Sequence, residues 1–165
     1  MLKTVIVPTD FTIESLSVVK TILNNSEEDQ KFNIILLSGA LLNDSIMDLM
    51  FFSKNKYIKE ISSPEFDDAY LIIKNKYESK INSFRKDIFT GFTQSAFDNY
   101  VEANKVEEAW LTNSSDGKAD KATNHLLAFV KKSPLKILTV QSARSLNMPE
   151  KGRVAEVFYN DVTSR

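Results

Sequence analysis

Asp10 closes the segment Thr4-Val5-Ile6-Val7-Pro8-Thr9-Asp10-Phe11 and is the first residue whose type and place could do chemistry. A carboxylate directly after a buried strand suits ligand binding, because ligands of open α/β sheets sit at the carboxyl ends of strands. The competing role is capping the turn or the helix that follows, and Thr9 shares that turn. A second polar set is Ser114-Ser115-Asp116-Gly117, with Lys118 and Lys121 beside it. Lysine meets phosphate as a point charge, although exposed loop lysines mostly do nothing of the kind. Ser114, Ser115 and Asp116 have the residue types of a catalytic set. Spacing alone supplies no activated nucleophile, so loop and cap hydrogen bonding is the expectation there. His125 is the single histidine and has no metal co-ligand or nucleophile partner in sequence. A surface or packing role is expected for it rather than proton transfer. No catalytic residue and no metal ligand is assigned.

These residues must be held by elements, and the apolar patterning says which. Thr4 to Val7 is a β-branched run of the kind buried on both faces in a parallel sheet, and Pro8 ends it. Ile13, Leu16, Val18, Val19, Ile22 and Leu23 recur at helical spacing, which predicts a helix over about residues 12–24 with Thr12 as N-cap. Phe32 to Leu37 reads as a second strand, stopping at Ser38-Gly39. Residues 40–66 are the least readable part. Asp44 or Ser45 is placed to cap a short helix carrying Ile46, Leu49, Met50 and Phe52, expected to pack over the sheet. From Asp67, the positions Tyr70, Ile73, Tyr77, Ile81 and Phe84 make one helical face.

Ile88 to Phe92 reads as a short strand ending near Gly91. Ala96, Phe97, Tyr100 and Val101 make the next helical face. Val106 to Leu111 reads as a strand ending at Thr112-Asn113, with Trp110 inside it and expected in the core. Leu126, Leu127, Phe129 and Val130 belong to a last helix closed by Pro134, and Leu135 to Val140 is a fifth strand. The alternation implies a parallel sheet with right-handed crossovers.

Composition narrows the function classes. The 165 residues suit one domain. The formal net charge of −1 gives no basic field for nucleic acid or anionic lipid. The absence of cysteine excludes thiol catalysis, disulfides and cysteine-ligated metals. The N-terminus lacks a secretory pattern, and no stretch approaches the ~20 apolar residues that span a bilayer. The expectation is a cytoplasmic protein without membrane or nucleic-acid partners.

With these elements in order, the chain resembles the universal stress protein family over about residues 3–140. Val7-Pro8-Thr9-Asp10-Phe11 is similar to the family's opening strand with its Pro-x-Asp-Phe. Thr90-Gly91, a helix, and then Glu108-Ala109-Trp110-Leu111-Thr112-Asn113 are similar to its third strand, third helix and fourth strand. Ser133-Pro134 and Ile137-Leu138-Thr139-Val140 are similar to its closing strand. The resemblance implies an α/β fold: a three-layer, doubly wound, five-stranded parallel sheet of order 3-2-1-4-5, adenine-nucleotide α-hydrolase-like, with two helices on each face. Domain limits of 1–140, with a tail over 141–165 packing on the edge strand or on a partner subunit, follow from it.

In that order the first and fourth strands meet at the switch point, and the resemblance places a crevice between Thr9-Asp10 and Asn113-Ser114-Ser115. ATP-binding members of the family carry G-x2-G-x9-G-[S/T] after the fourth strand. Glycines let backbone N–H groups approach phosphates, and the final Gly-Ser opens a helix whose N-terminus favours anions. Here Asn113 stands at the first glycine position, Gly117 is the only loop glycine, and Thr123-Asn124 stand where Gly-Ser belongs. The loop is also shorter than the motif.

The resulting expectation is a non-enzymatic stress-response or signalling module. It is homodimeric, with weak or no ATP binding, no resident cofactor and a protein partner the sequence does not name. The family commonly pairs through the last strand, where Lys136 lies. The alternative is an adenine-nucleotide sensor, with slow hydrolysis, using Thr9, Asp10, Gly39, Ala40, Asn113, Ser114, Ser115, Gly117, Thr123 and Asn124. An enzyme of the wider α-hydrolase-like group would need an intact phosphate loop and further catalytic residues, which the sequence does not supply.

Overall fold

Strand β1 (Leu2–Pro8) lies at the centre of the sheet because Val5, Ile6 and Val7 are apolar on both faces and all three are buried. The structure is a computed structural model that describes residues 1–40, 52–112 and 121–141. After β1 come α1 (Ile13–Asn25), β2 (Lys31–Gly39), α2 (Lys54–Ile61), α3 (Pro64–Lys76) and β3 (Ile81–Phe89). Helix α4 (Gln94–Ala103), β4 (Glu108–Thr112), α5 (Lys121–Lys132) and β5 (Lys136–Val140) complete the order. The five strands are parallel and run β3-β2-β1-β4-β5, as the sequence predicts.

The strands sort their side chains by alternation. Val5 and Val7 of β1, with Ile34 and Leu36 of β2, face a core shared with α1 and α3, and Trp110 is enclosed there as expected. Ile6, Ile35 and Leu37 face the opposite core, shared with α4 and α5. Two helices therefore cover each face, and α2 adds Tyr57, Ile58 and Ile61 to the margin of the first core.

Two expectations need correction. Ile81 and Phe84 do not continue a helical face: α3 ends at Lys76, and both residues lie on β3. Consequently β3 runs over Ile81–Phe89 rather than Ile88 to Phe92. Its outer position explains the misreading. An edge strand with Asn82, Ser83, Arg85, Lys86 and Asp87 between its apolar residues loses the continuous apolar run of a central strand. Thr12 occupies the N-cap position of α1 with no side-chain capping bond. Helix α2 was not foreseen, because none of its residues is fully buried. The short helix expected around Ile46 to Met50 and the tail beyond Gln141 lie outside the described residues.

Candidate functional site

The carboxyl ends of β1 and β2 are tied together before any ligand is considered. The Thr9 N–H donates to the Leu37 carbonyl at 2.9 Å, which holds the turn after β1 against β2. Thr9 is buried, and its hydroxyl donates to the Ser15 hydroxyl at 2.6 Å while accepting from the Phe11 N–H at 2.8 Å. The Ser15 hydroxyl donates in turn to the Thr12 carbonyl at 2.7 Å. This chain of hydroxyls fixes the start of α1.

Asp10 is exposed, and its Oδ1 accepts from both the Thr12 N–H (3.1 Å) and the Thr12 hydroxyl (2.6 Å). That is the Asx-turn geometry of a turn-capping aspartate. Phe11, between them, has φ of 59° in the left-handed region, a costly backbone for a bulky side chain. The ring offsets that cost by burial, edge-on against Phe66 at 5.5 Å.

The end of β2 is built for close approach. A Cβ placed on Gly39 would stand 2.6 Å from the Ala122 carbonyl oxygen, so the first turn of α5 rests on a position only glycine can occupy. Ala40 is buried and its N–H donates to the Phe89 carbonyl at 3.0 Å. In the same turn of α5, Thr123 is buried and Asn124 exposed.

A narrow cleft opens here, lined by Gly39, Ala40, Phe89, Gly91, Ala122, His125, Leu126 and Phe129, with about 180 Å³ of empty space. Of the site residues named from sequence, Gly39 and Ala40 line it, and so does His125, for which a surface or packing role was expected. Thr9 and Asp10 lie at the neighbouring strand end, and Thr123 and Asn124 sit on α5 beside its lining residues Ala122 and His125. Asn113, Ser114, Ser115 and Gly117 lie outside the described residues. Sequence reading missed Phe89, Gly91 and Phe129 as lining residues. The i, i+4 spacing of His125 and Phe129 marks them as one face of α5, with rings 4.7 Å apart, but not as a face turned to a cleft. His125 is half-buried in that stack.

The perturbed ionisable groups lie elsewhere. Asp87 on β3 accepts from Tyr100 at 2.7 Å, Arg85 at 3.0 Å, Lys54 at 3.2 Å and the Ile88 N–H at 2.8 Å. Burial pushes its carboxyl up, and these donors outweigh burial and hold it below its usual value. Burial first, and then Asp87, push the Tyr100 hydroxyl well above its ordinary value. At the opposite end of the sheet Glu108 accepts from Lys3 at 2.9 Å and from the Trp110 indole at 3.2 Å. These networks join structural elements, and neither borders the cleft. Among the described residues no group of three or more His, Asp or Glu is placed to hold a metal ion. No helix among them is long and apolar enough to cross a membrane.

No family model and no curated protein matches the chain. Solved structures do. The chain is similar to hypothetical protein MJ0577, at 18% identity over 87% of this chain and 98% of that one, with a TM-score of 0.52. It is similar to hypothetical protein PH0823 at 16% identity over 88% and 100% of the two chains, with a TM-score of 0.51. A universal stress protein family protein from Arabidopsis thaliana, solved with AMP bound, shares 11% identity over 90% and 98%, with a TM-score of 0.51. The chain has the universal-stress-protein-like fold, the adenine-nucleotide α-hydrolase-like arrangement of a parallel 3-2-1-4-5 sheet.

Proposed function

We propose that this protein is a non-enzymatic signalling or stress-response module of the universal stress type, homodimeric and with weak or no ATP binding. The observation that carries the reading is the start of α5. The resemblance to the universal stress protein family implies, for its ATP-binding members, a Gly-Ser pair at that place, which would let backbone amides reach phosphate. Here the pair is Thr123-Asn124, Thr123 is buried, and the Ala122 backbone is already packed against Gly39. The cleft beside it is lined mainly by apolar side chains and offers no cluster of convergent polar groups.

Support for the dimer comes from β5. It is an edge strand whose Lys136, Ile137 and Thr139 are exposed. The unpaired backbone groups along such an edge are a template for pairing with a second copy.

The second reading, an adenine-nucleotide sensor, draws on the Arabidopsis thaliana neighbour with AMP bound. It would use Thr9 and Asp10 with Gly39, Ala40, Thr123, Asn124 and the loop from Asn113 to Gly117. Mass spectrometry of the purified full chain, under native and then denaturing conditions, separates the two. The first reading expects a dimer mass without retained nucleotide. Stoichiometric AMP or ATP released on denaturation replaces it with the sensor, and a monomer removes the homodimer.

A further inference from the structure

The two edges of the sheet are not built alike. The Phe89 carbonyl faces β2, where it accepts from the Ala40 N–H. By the alternation of a strand, the backbone groups of Ile88, Lys86 and Phe84 then face outward, away from β2. Two of these outward groups are already bonded. The Tyr70 hydroxyl donates to the Phe84 carbonyl, and the Asp87 carboxylate accepts from the Ile88 N–H at 2.8 Å.

Neighbouring contacts hold both side chains in place. The Tyr70 ring stacks on Phe84 at 4.3 Å, with the Lys86 ammonium 4.8 Å from its centroid and tied to Asp67. Asp87 is held by Tyr100 from α4 and by Lys54 from α2. We infer that Tyr70 and Asp87 are edge locks: they occupy two of the outward backbone groups of β3, the Phe84 carbonyl and the Ile88 N–H, so that this strand resists pairing with another chain. The inference concerns β3 alone and stands whether or not the protein dimerises or binds a nucleotide. An incoming strand must exchange hydrogen bonds with Phe84 and Ile88, the two ends of the outward-facing stretch. The Phe84 carbonyl and the Ile88 N–H are already engaged, and between them stands Lys86, a residue type that blunts edges.

The test compares full-length Tyr70→Phe/Asp87→Ala with wild type and with Tyr70→Phe/Asp87→Asn. Phenylalanine keeps the stack on Phe84 and loses only the hydroxyl. Asparagine loses the charge of Asp87 as alanine does, but its amide oxygen still accepts from Ile88. Light scattering over a concentration series is expected to show a mass roughly twofold or more above wild type for the alanine double variant, and a smaller rise for the asparagine one. Hydrogen exchange at the Ile88 amide is expected to quicken roughly tenfold or more with alanine and to stay near wild type with asparagine. Thr93→Ala, which removes the capping hydroxyl of α4 and leaves β3 untouched, is expected to keep the wild-type mass. Wild-type mass in a folded alanine double variant overturns the inference. So does equal assembly by Thr93→Ala, or by the alanine and asparagine variants alike. Should the alanine double variant not fold, the single variant Asp87→Ala takes its place, and unchanged Ile88 exchange there overturns the inference as well.

Discussion

Gly39 of β2 and Ala122 of α5 meet with no room for a side chain between them: a Cβ on Gly39 would stand 2.6 Å from the Ala122 carbonyl oxygen and 3.2 Å from its carbonyl carbon. Both are backbone atoms in a helix, so neither yields as a flexible side chain would. Gly39→Ala must move α5 or bend β2. The expected cost is about 1–3 kcal/mol, the range of overpacking substitutions. Thermal unfolding checks this, with a fall in Tm of several degrees expected.

Glu108 gives the protein a share of its acid sensitivity. Burial pushes its carboxyl up, but bonds from Lys3 and Trp110 prevail and hold it below the ordinary value of a glutamate carboxyl. A folded-state value depressed below the unfolded one contributes stability above the unfolded value, and that contribution is lost as pH falls through the folded value. Wild type should therefore lose this stability from about pH 4.5 downward. Glu108→Gln should be less stable at pH 7 by about 1 kcal/mol. Its stability should also change less between neutral and acid pH, which denaturant titrations at several pH values would show.

Asp10 holds the turn after β1 through Oδ1. Asp10→Ala should cost about 1 kcal/mol, the usual scale for a lost cap. Asp10→Asn should be nearly neutral, because an amide oxygen can accept from Thr12 N–H and Oγ1 as the carboxylate does. Chemical denaturation of the three proteins checks this. Equal losses for both variants would mean that charge, rather than turn geometry, is what Asp10 contributes.

The central part of this fold was legible because burial on both faces writes a continuous apolar run. Val5 to Val7 and Phe32 to Leu37 carry that run, and the order of strands and helices around them followed. The β3 edge was not legible. Ile81 and Phe84 continue the spacing of Tyr70, Ile73 and Tyr77 by coincidence, and the polar residues between them suit a helix face as well as an exposed strand. Nothing in local spacing marks the turn at Glu78-Ser79 as the end of α3. The candidate site was half legible for a different reason. Thr9, Asp10, Gly39 and Ala40 belong to strand ends, which patterning locates. The ring pair of His125 and Phe129 depends on which face of α5 meets β2 and β3, and that is a tertiary fact.

The nucleotide question can be put to the start of α5 itself. Wild-type affinity for ATP is expected to be no tighter than roughly 0.1 mM, about −5.5 kcal/mol. A tight site needs several backbone donors converging on phosphate, and side chains at Asn113, Thr123 and Asn124 stand where the family resemblance implies glycine and a small hydroxyl in an ATP-binding loop. Thr123→Gly/Asn124→Ser removes two of those obstacles. Glycine in a helical turn should cost stability of about 1 kcal/mol. ATP binding should tighten roughly tenfold, equivalent to about 1.4 kcal/mol, if backbone approach is what the wild type lacks. The gain stays partial because Asn113 remains and Gly117 is the loop's single glycine. Calorimetry with ATP, ADP and AMP in the presence of Mg²⁺ measures both proteins. Submicromolar ATP binding by the wild type, abolished by Asp10→Ala, would overturn the proposed function in favour of the sensor. No gain in the double variant would place the obstacle in the loop from Asn113 to Gly117 rather than at the helix start.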